Sequence, residues 1–296
     1  MKPSNAFNLG IGMYLAGVFF FAANDALGKW LVADYGVGQL MLLRSVGAVP
    51  ILLLVAALTR TRLSLKGQWG LHAFRILCQA GDSFCFYYST RSMPLADVMT
   101  YYMAAPLIIT ALSPFLLGEK VRLFRWSAVI VGFIGVVIAL QPTGAAFSPV
   151  AFIALAGAAM FGLAVILTKQ LSDVHWLPLV SWQFIGAGLI GAATVPFAWI
   201  APSLLDLCLM FLVGIVASAC FVLITKALAL APASLLAPFQ YSAIFWAALM
   251  GWLVWGDKMT PPVLIGNVVI IASGLVIFYR ERRLQVAVTD AVEPIP

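Results

Sequence analysis

The strongest constraint on this chain is a succession of ten apolar stretches, each about long enough to cross a bilayer. They run roughly over residues 9–32, 38–58, 70–91, 95–117, 124–141, 149–169, 178–199, 206–228, 233–255 and 262–279. A helix needs ~20 mostly apolar residues to cross the hydrocarbon core. Irregular backbone facing lipid leaves polar groups unpaired, so the spanning form here is the helix. Charged residues make up 9% of the 296-residue chain and hydrophobic ones 63%. A soluble domain carries about 25% charge, so lipid must be the solvent for most of these side chains. The expected fold class is all-α integral membrane, with ten transmembrane helices. Most connections are short and leave no room for a soluble domain. Met1 and Lys2 resemble the start of a signal peptide, but the stretch continues as a full span and reads as helix one.

The ten stretches fall into two related sets of five. Leu15-Ala16-Gly17 with Lys29 recurs as Leu155-Ala156-Gly157 with Lys169, an offset of 140. Arg44-Ser45-Val46-Gly47 aligns with Gln183-Phe184-Ile185-Gly186, offset 139. Pro94 with Gly118-Glu119-Lys120 recurs as Pro232 with Gly256-Asp257-Lys258, offset 138. Gly135-Val136-Val137-Ile138 recurs as Gly274-Leu275-Val276-Ile277, offset 139. Four anchors in order with nearly constant offset divide the chain into a first five-helix repeat at 1–143 and a second at 144–283. Residues 284–296 are expected as a disordered cytoplasmic tail. Internal repeats are how many transporters build a midplane site that opens to each side in turn.

Lysine and arginine set the orientation. With the N-terminus in the cytoplasm, thirteen basic residues fall on the inner side, Arg60, Arg62 and Lys66 among them. Four fall outside: Lys29, Arg44, Arg91 and Lys258. This positive-inside bias places both termini in the cytoplasm. Five spans per half is an odd number, so the second repeat must be inverted. It also accounts for the net charge of +6 without invoking nucleic acid. The cysteines Cys78, Cys85, Cys208 and Cys220 lack metal-ligand spacing and read as small apolar fillers. Gly132, Gly135, Gly186, Gly188, Gly191, Gly266 and Gly274 read as close-packing positions. Spans five and ten are otherwise aliphatic and are expected away from the site.

The paired endings of spans four and nine, with the Gly-Val-Val-Ile and Gly-Leu-Val-Ile stretches after them, resemble the drug/metabolite transporter superfamily. The resemblance is to its ten-helix, EamA-like branch and covers nearly the whole chain. It implies export of amino acids or related metabolites, aromatic or other bulky neutral ones among them, across a bacterial inner membrane. It also implies a cavity between spans one, three, four, six, eight and nine. The acidic residues inside spans one and three, together with Lys29, depart from that pattern.

Ionisable groups inside a bilayer are costly and face a cavity or a partner. Asn24 and Asp25 lie within span one, and Lys29 shares a helical face with Asp25 at i+4 and is expected to pair with it. Arg44 either partners an acid or snorkels outward. Asp82 sits near the middle of span three, with Gln79 and Phe86 on its face at i−3 and i+4. A carboxylate, an amide and a ring together suit an ammonium group and an apolar side chain. Tyr101 and Tyr102 of span four, Phe161 of span six, Trp182 and Gln183 of span seven, and Phe239, Gln240 and Tyr241 of span nine complete the candidate substrate-binding residues. The aromatic ones serve equally well as packing or interface anchors. Pro106 and Pro238 free backbone carbonyls within spans four and nine.

Enzyme chemistry has little support. His72 and His175 both lie near cytoplasmic ends, and no His-Glu-x-x-His motif, phosphate-binding glycine loop or carboxylate cluster is present. No cofactor and no metal are expected. The partners expected are a small-molecule substrate and the lipid bilayer, not nucleic acid, with the monomer as the working unit. A secondary transporter is the leading expectation. Transport of drugs or sugar nucleotides, and an embedded enzyme or channel, are the alternatives.

Overall fold

The computed structural model describes residues 3–65, 67–117, 123–140, 148–171, 174–230 and 242–290. Among them every regular element is helical. In chain order these are α1 (Pro3–Asp34), α2 (Val37–Leu58), α3 (Trp69–Thr90), α4 (Leu95–Tyr102), α5 (Ala105–Leu116), α6 (Leu123–Leu140), α7 (Val150–Gln170), α8 (Trp176–Ala198), α9 (Leu204–Leu230), α10 (Ser242–Trp255) and α11 (Pro261–Asp290). Each of the expected stretches holds a described helix or helix pair, the ninth only over Ser242–Trp255 because 233–241 lie outside the described residues.

Among the described residues six segments are long and apolar enough to cross a membrane: Leu9–Asp34, Val37–Leu58, Leu95–Leu116, Val150–Gln170, Trp176–Phe197 and Leu204–Ile224. Within α6, α10 and α11 lie shorter apolar helices. α3 has 22 residues but is more polar, and it buries His72, Arg75 and Asp82. The outer surface is the reverse of a soluble protein's. Leu123 and Phe197 are each 88% exposed, which suits contact with lipid.

Span four departs from the continuous helix expected over 95–117. It breaks at Met103–Ala104 into α4 and α5. A proline at 106 has no N–H to give the carbonyl of Tyr102, and a proline ring clashes with the carbonyl four residues back. The freed end is closed more tightly, with the Met103 N–H on the Met99 and Thr100 carbonyls and the Ala104 N–H on Tyr101. At the other end of the chain, α11 runs to Asp290, into the segment expected as a tail, and 291–296 lie outside the described residues.

The helices pack in a pattern that treats the two halves alike. The most extensive packings are α1 on α9, α6 on α11, α2 on α8 and α3 on α7. In span numbering these pair one with eight, five with ten, two with seven, and three with six. Exchanging the halves maps this set onto itself. Glycines set the closest approaches. A Cβ at Gly266 would lie 2.6 Å from the Gly135 carbonyl, so α6 and α11 touch nearly backbone to backbone. α2 and α9 do the same, since a Cβ at Gly214 would collide with the Arg44 carbonyl.

Candidate substrate-binding site

Asp25 on α1, Arg44 on α2 and Asp82 on α3 converge away from the helix ends. All three are buried, and both carboxylates lie within electrostatic reach of the Arg44 guanidinium. Arg44 forms no direct salt bridge with either carboxylate among the described residues. Its guanidinium carbon instead lies 5.5 Å from the ring centroids of both Tyr87 and Phe184. Its Nε has no hydrogen-bond partner, nor has the buried Asn24 Oδ1. The outward snorkelling expected as one option for Arg44 is therefore not what occurs. The close contact at Gly214 holds the Arg44 backbone against α9, and the two rings cover the guanidinium.

The surroundings of Asp82 match the expected face. Gln79 Nε2 donates to Asp82 Oδ2 at 3.0 Å. Tyr102 OH donates to the Asp82 backbone carbonyl at 3.0 Å, tying the end of α4 to α3. Phe86 sets its ring edge-on to Tyr102 and to Tyr87, at 5.2 and 5.4 Å between centroids. Small residues make room for these rings. A Cβ at Gly28 would strike the Tyr87 ring, and one at Gly157 the Tyr102 hydroxyl. The result is two carboxylates, one guanidinium and four aromatic rings, Phe184 included, brought together from five helices.

Lys29 does not pair with Asp25. Its Nζ lies 2.9 Å from Asp257 Oδ2 and 4.5 Å from the Trp255 ring centroid. The physical reason is the turn that ends α10. Gly256 adopts φ +69°, a left-handed conformation open to glycine. The Asp257 N–H then bonds back to the Gly251 carbonyl at 3.2 Å, which brings its carboxylate to α1. Asp97 of α4 is buried nearby, feels both charges, and leaves Oδ1 unpartnered.

Other sequence candidates lie elsewhere. Tyr101 is buried, but its hydroxyl donates to the Ala139 carbonyl at 3.3 Å, toward α6. Trp182 Nε1 donates to the Leu63 carbonyl at 2.9 Å and pins the connection after α2. Gln183 is buried on α8 beside Phe184 in sequence. Phe161 is half-buried on α7. Phe239, Gln240, Tyr241 and Pro238 lie outside the described residues, as do Gly118, Glu119 and Lys120. Cys208, expected as a buried filler, is exposed, whereas Cys78 and Cys220 are buried. Sequence reasoning missed Tyr87, Asp97 and Phe184. Tyr87 is five residues from Asp82, so the i+4 rule selects its neighbour Phe86 and passes over it.

The sequence profile of the EamA-like transporter family matches this chain twice, over residues 8–141 and 148–279. The chain belongs to the EamA-like transporter family. It is therefore a multi-pass membrane protein of a family of transporters. Similar curated proteins include an S-adenosylmethionine uptake transporter of Rickettsia bellii, 26% identical over 281 residues covering 94% of this chain and 96% of that one. A riboflavin transporter of Rhizobium johnstonii is 28% identical over 199 residues, 65% of this chain and 64% of its own. A pseudopaline exporter of Pseudomonas aeruginosa is 24% identical over 272 residues, 89% of this chain and 94% of its own. A solved crystal structure shares the fold at TM-score 0.67 and 17% identity, covering 93% of this chain and 97% of that one.

Proposed function

We propose that this EamA-family chain is a secondary transporter in a bacterial inner membrane that exports small zwitterionic metabolites by alternating access. Amino acids, particularly aromatic or other bulky neutral ones, are the substrates whose chemistry fits best. The observation that carries this reading is the buried meeting of Asp25, Arg44 and Asp82 without a direct salt bridge. A carboxylate left unpaired in hydrocarbon costs at least ~2.5–3.5 kcal/mol on insertion scales, so such a group serves a ligand, a proton or water. A substrate ammonium satisfies Asp82 or Asp25. A substrate carboxylate takes Arg44, and an apolar side chain rests on Phe86, Tyr87 and Tyr102. Similar transporters named for S-adenosylmethionine and pseudopaline widen the substrate class beyond amino acids themselves. They also carry opposite directions in their names, so direction belongs in the same experiment.

The proposed architecture is ten spans in two inverted five-helix repeats, with both termini in the cytoplasm. Its supports are the double profile match, the four sequence anchors, and a packing pattern unchanged when the halves are exchanged. Gln240, at the counterpart of Tyr102 by the 138 offset, is proposed to contribute an amide from span nine.

Counterflow in proteoliposomes tests the substrate. Labelled phenylalanine, leucine, S-adenosylmethionine and riboflavin are offered against the same panel inside. Exchange of amino acids, lost in Asp82→Asn and reduced in Gln240→Ala at normal expression, is the expected result. Exchange of riboflavin alone would exclude a site built for an ammonium group.

A further inference from the structure

We propose that Asp97, Asp257 and the Trp255 ring form a second ammonium-binding site, one turn along α1 from Asp25, which Lys29 fills as a built-in ammonium. A substrate's ammonium group displaces Lys29 there on its way between the inner group and the outer face. The inference rests on the reading of this chain as a carrier of zwitterions and adds a second station to it.

The occupant shows what the site accepts. Lys29 Nζ lies 2.9 Å from Asp257 Oδ2 and 4.5 Å from the Trp255 ring centroid. A carboxylate beside an indole face suits an ammonium group, because the ring quadrupole attracts a cation that the acid also pairs. A lysine ammonium has three donors, and the bond to Asp257 uses one. Lys29 and Asp257 are 11% and 25% exposed, so the pair is shielded yet within reach of a solute. A partly exposed pair contributes on the order of 1 kcal/mol or less, which a competing ammonium can offset.

The carboxylates are placed by backbone, not by Lys29. At the end of α10 the Gly256 N–H bonds to the Trp252 carbonyl at 3.0 Å and the Asp257 N–H to the Gly251 carbonyl at 3.2 Å. Gly256 takes the left-handed conformation that this closure needs. Asp97 is the third residue of α4, where an acidic side chain can reach back to the backbone N–H of the capping residue. Here that residue is Pro94, which has no N–H to give. Asp97 is buried with Oδ1 unpartnered, and it lies within electrostatic reach of Lys29 and Asp257. α1 and α4 both pack on α10, which gathers the parts of the site. A buried carboxylate oxygen without a partner is costly until a donor reaches it. An arriving ammonium, or Lys29 as it leaves Asp257, supplies that donor.

The position fits passage. Lys29 follows Asp25 by four residues, about 6 Å along the helix axis. The two stations have the same make-up of two acids, one built-in cation and aromatic surface. An ammonium leaving Asp25 therefore finds a second site of like chemistry one turn away, toward the outer end in the proposed topology.

The test uses the full chain in nanodiscs and benzyltrimethylammonium as the probe, a cation with an apolar ring that does not react with acylating reagents. Occupancy is read as the rate of Lys29 acylation by mass spectrometry, with the exposed Lys258 as reference. Saturating probe is expected to raise Lys29 acylation about three- to tenfold, whereas sodium phenylacetate at equal ionic strength leaves it unchanged. Calorimetry gives the second readout. Lys29→Ala removes the built-in competitor and should bind the probe about tenfold more tightly, a gain that misfolding cannot mimic. Asp97→Asn and Asp257→Asn should weaken binding about tenfold, and Trp255→Leu about threefold. Lys29→Arg keeps a competitor in place and should match the unsubstituted protein. Lys29 acylation unmoved by saturating probe, affinity no higher in Lys29→Ala, or normal affinity in Asp97→Asn would each overturn the site. Neither readout needs transport. Displacement of Lys29 in a protein that exchanges no amino acid leaves the site standing and removes the substrate assignment. Amino-acid exchange with Lys29 undisplaced does the opposite.

Discussion

Asp25 and Lys29 stand one turn apart on α1, and the fold treats their charges differently. Lys29 meets Asp257 at 2.9 Å and is backed by Trp255 at 4.5 Å. Asp25 meets no basic group at salt-bridge distance among the described residues, although Arg44 lies close enough to act on it. The outer charge is satisfied by the protein itself. The inner group holds two carboxylates around one guanidinium and leaves polar atoms of Arg44 and Asn24 unpartnered. A satisfied pair holds two elements together. An unsatisfied buried group is costly unless something arrives to complete it. The contrast supports the proposed binding role of Asp25, Arg44 and Asp82 and leaves Lys29 to holding two helices together.

The largest expected effect breaks the inner group. Asp82→Asn keeps the shape and the amide contact with Gln79 but removes the charge. Loss of a charge-assisted contact of ~1.5–3 kcal/mol corresponds to roughly tenfold to a hundredfold less transport. Initial rates in proteoliposomes, normalised to folded protein, give the number. If transport is proton-coupled, Asp82→Asn also flattens its pH dependence, since the titrating group is gone. Normal rates at every pH would reduce the inner group to a structural one.

The next effect concerns how Arg44 is held. Gly214→Ala drives a methyl into the Arg44 carbonyl, so α2 and α9 must separate. Overpacking of this kind costs about 1–3 kcal/mol. The melting temperature should fall, and the residual protein should transport poorly because Arg44 has shifted. Gly70 has open space at its Cβ, and its alanine variant should match the unsubstituted protein.

Smaller again is the outer pair. Lys29→Ala should slow exchange by about threefold, because a partly exposed ion pair contributes on the order of 1 kcal/mol. High salt should slow the unsubstituted protein toward the variant's rate and leave Asp82→Asn unaffected, since screening acts on the exposed pair far more than on the buried group. Equal salt sensitivity at both sites would erase the distinction drawn between them.

Much of this was legible in the sequence, and the failures are instructive. Span positions follow from runs of apolar residues, a property of the solvent that each segment needs. The contact of Gln79 with Asp82 follows from helix geometry within one segment, and it is observed. The expected Lys29–Asp25 pair used the same local rule and failed, because a partner 228 residues away had better geometry. The sequence did carry that signal: both Lys29 and Asp257 have charged counterparts in the other half. The break in span four was also readable. Pro106 frees a carbonyl within span four, and the same missing N–H also interrupts the helix there. Tyr87 was not readable, since its place beside Arg44 depends on how α1, α2 and α3 pack around Gly28.

The smallest predicted effect sharpens the comparison at its inner edge. Tyr102 OH donates to the backbone carbonyl of Asp82, so it positions α3 without adding charge to the site. Thr100, two residues earlier, bonds its own helix through the Ala96 carbonyl and does not reach α3. Tyr102→Phe keeps the ring against Phe86 and loses the hydroxyl's hydrogen bonding to Asp82, worth about 0.5–1.5 kcal/mol. Part of the loss is met by the α3 helix, because that carbonyl already lies within a helical ladder. Transport should therefore fall only about twofold, mainly through apparent affinity. Tyr102→Leu, which also removes the ring, should cost several-fold more. If the two variants behave alike, the ring contributes nothing beyond the hydroxyl, and the aromatic wall drawn from Phe86, Tyr87 and Tyr102 is packing with no part in holding substrate.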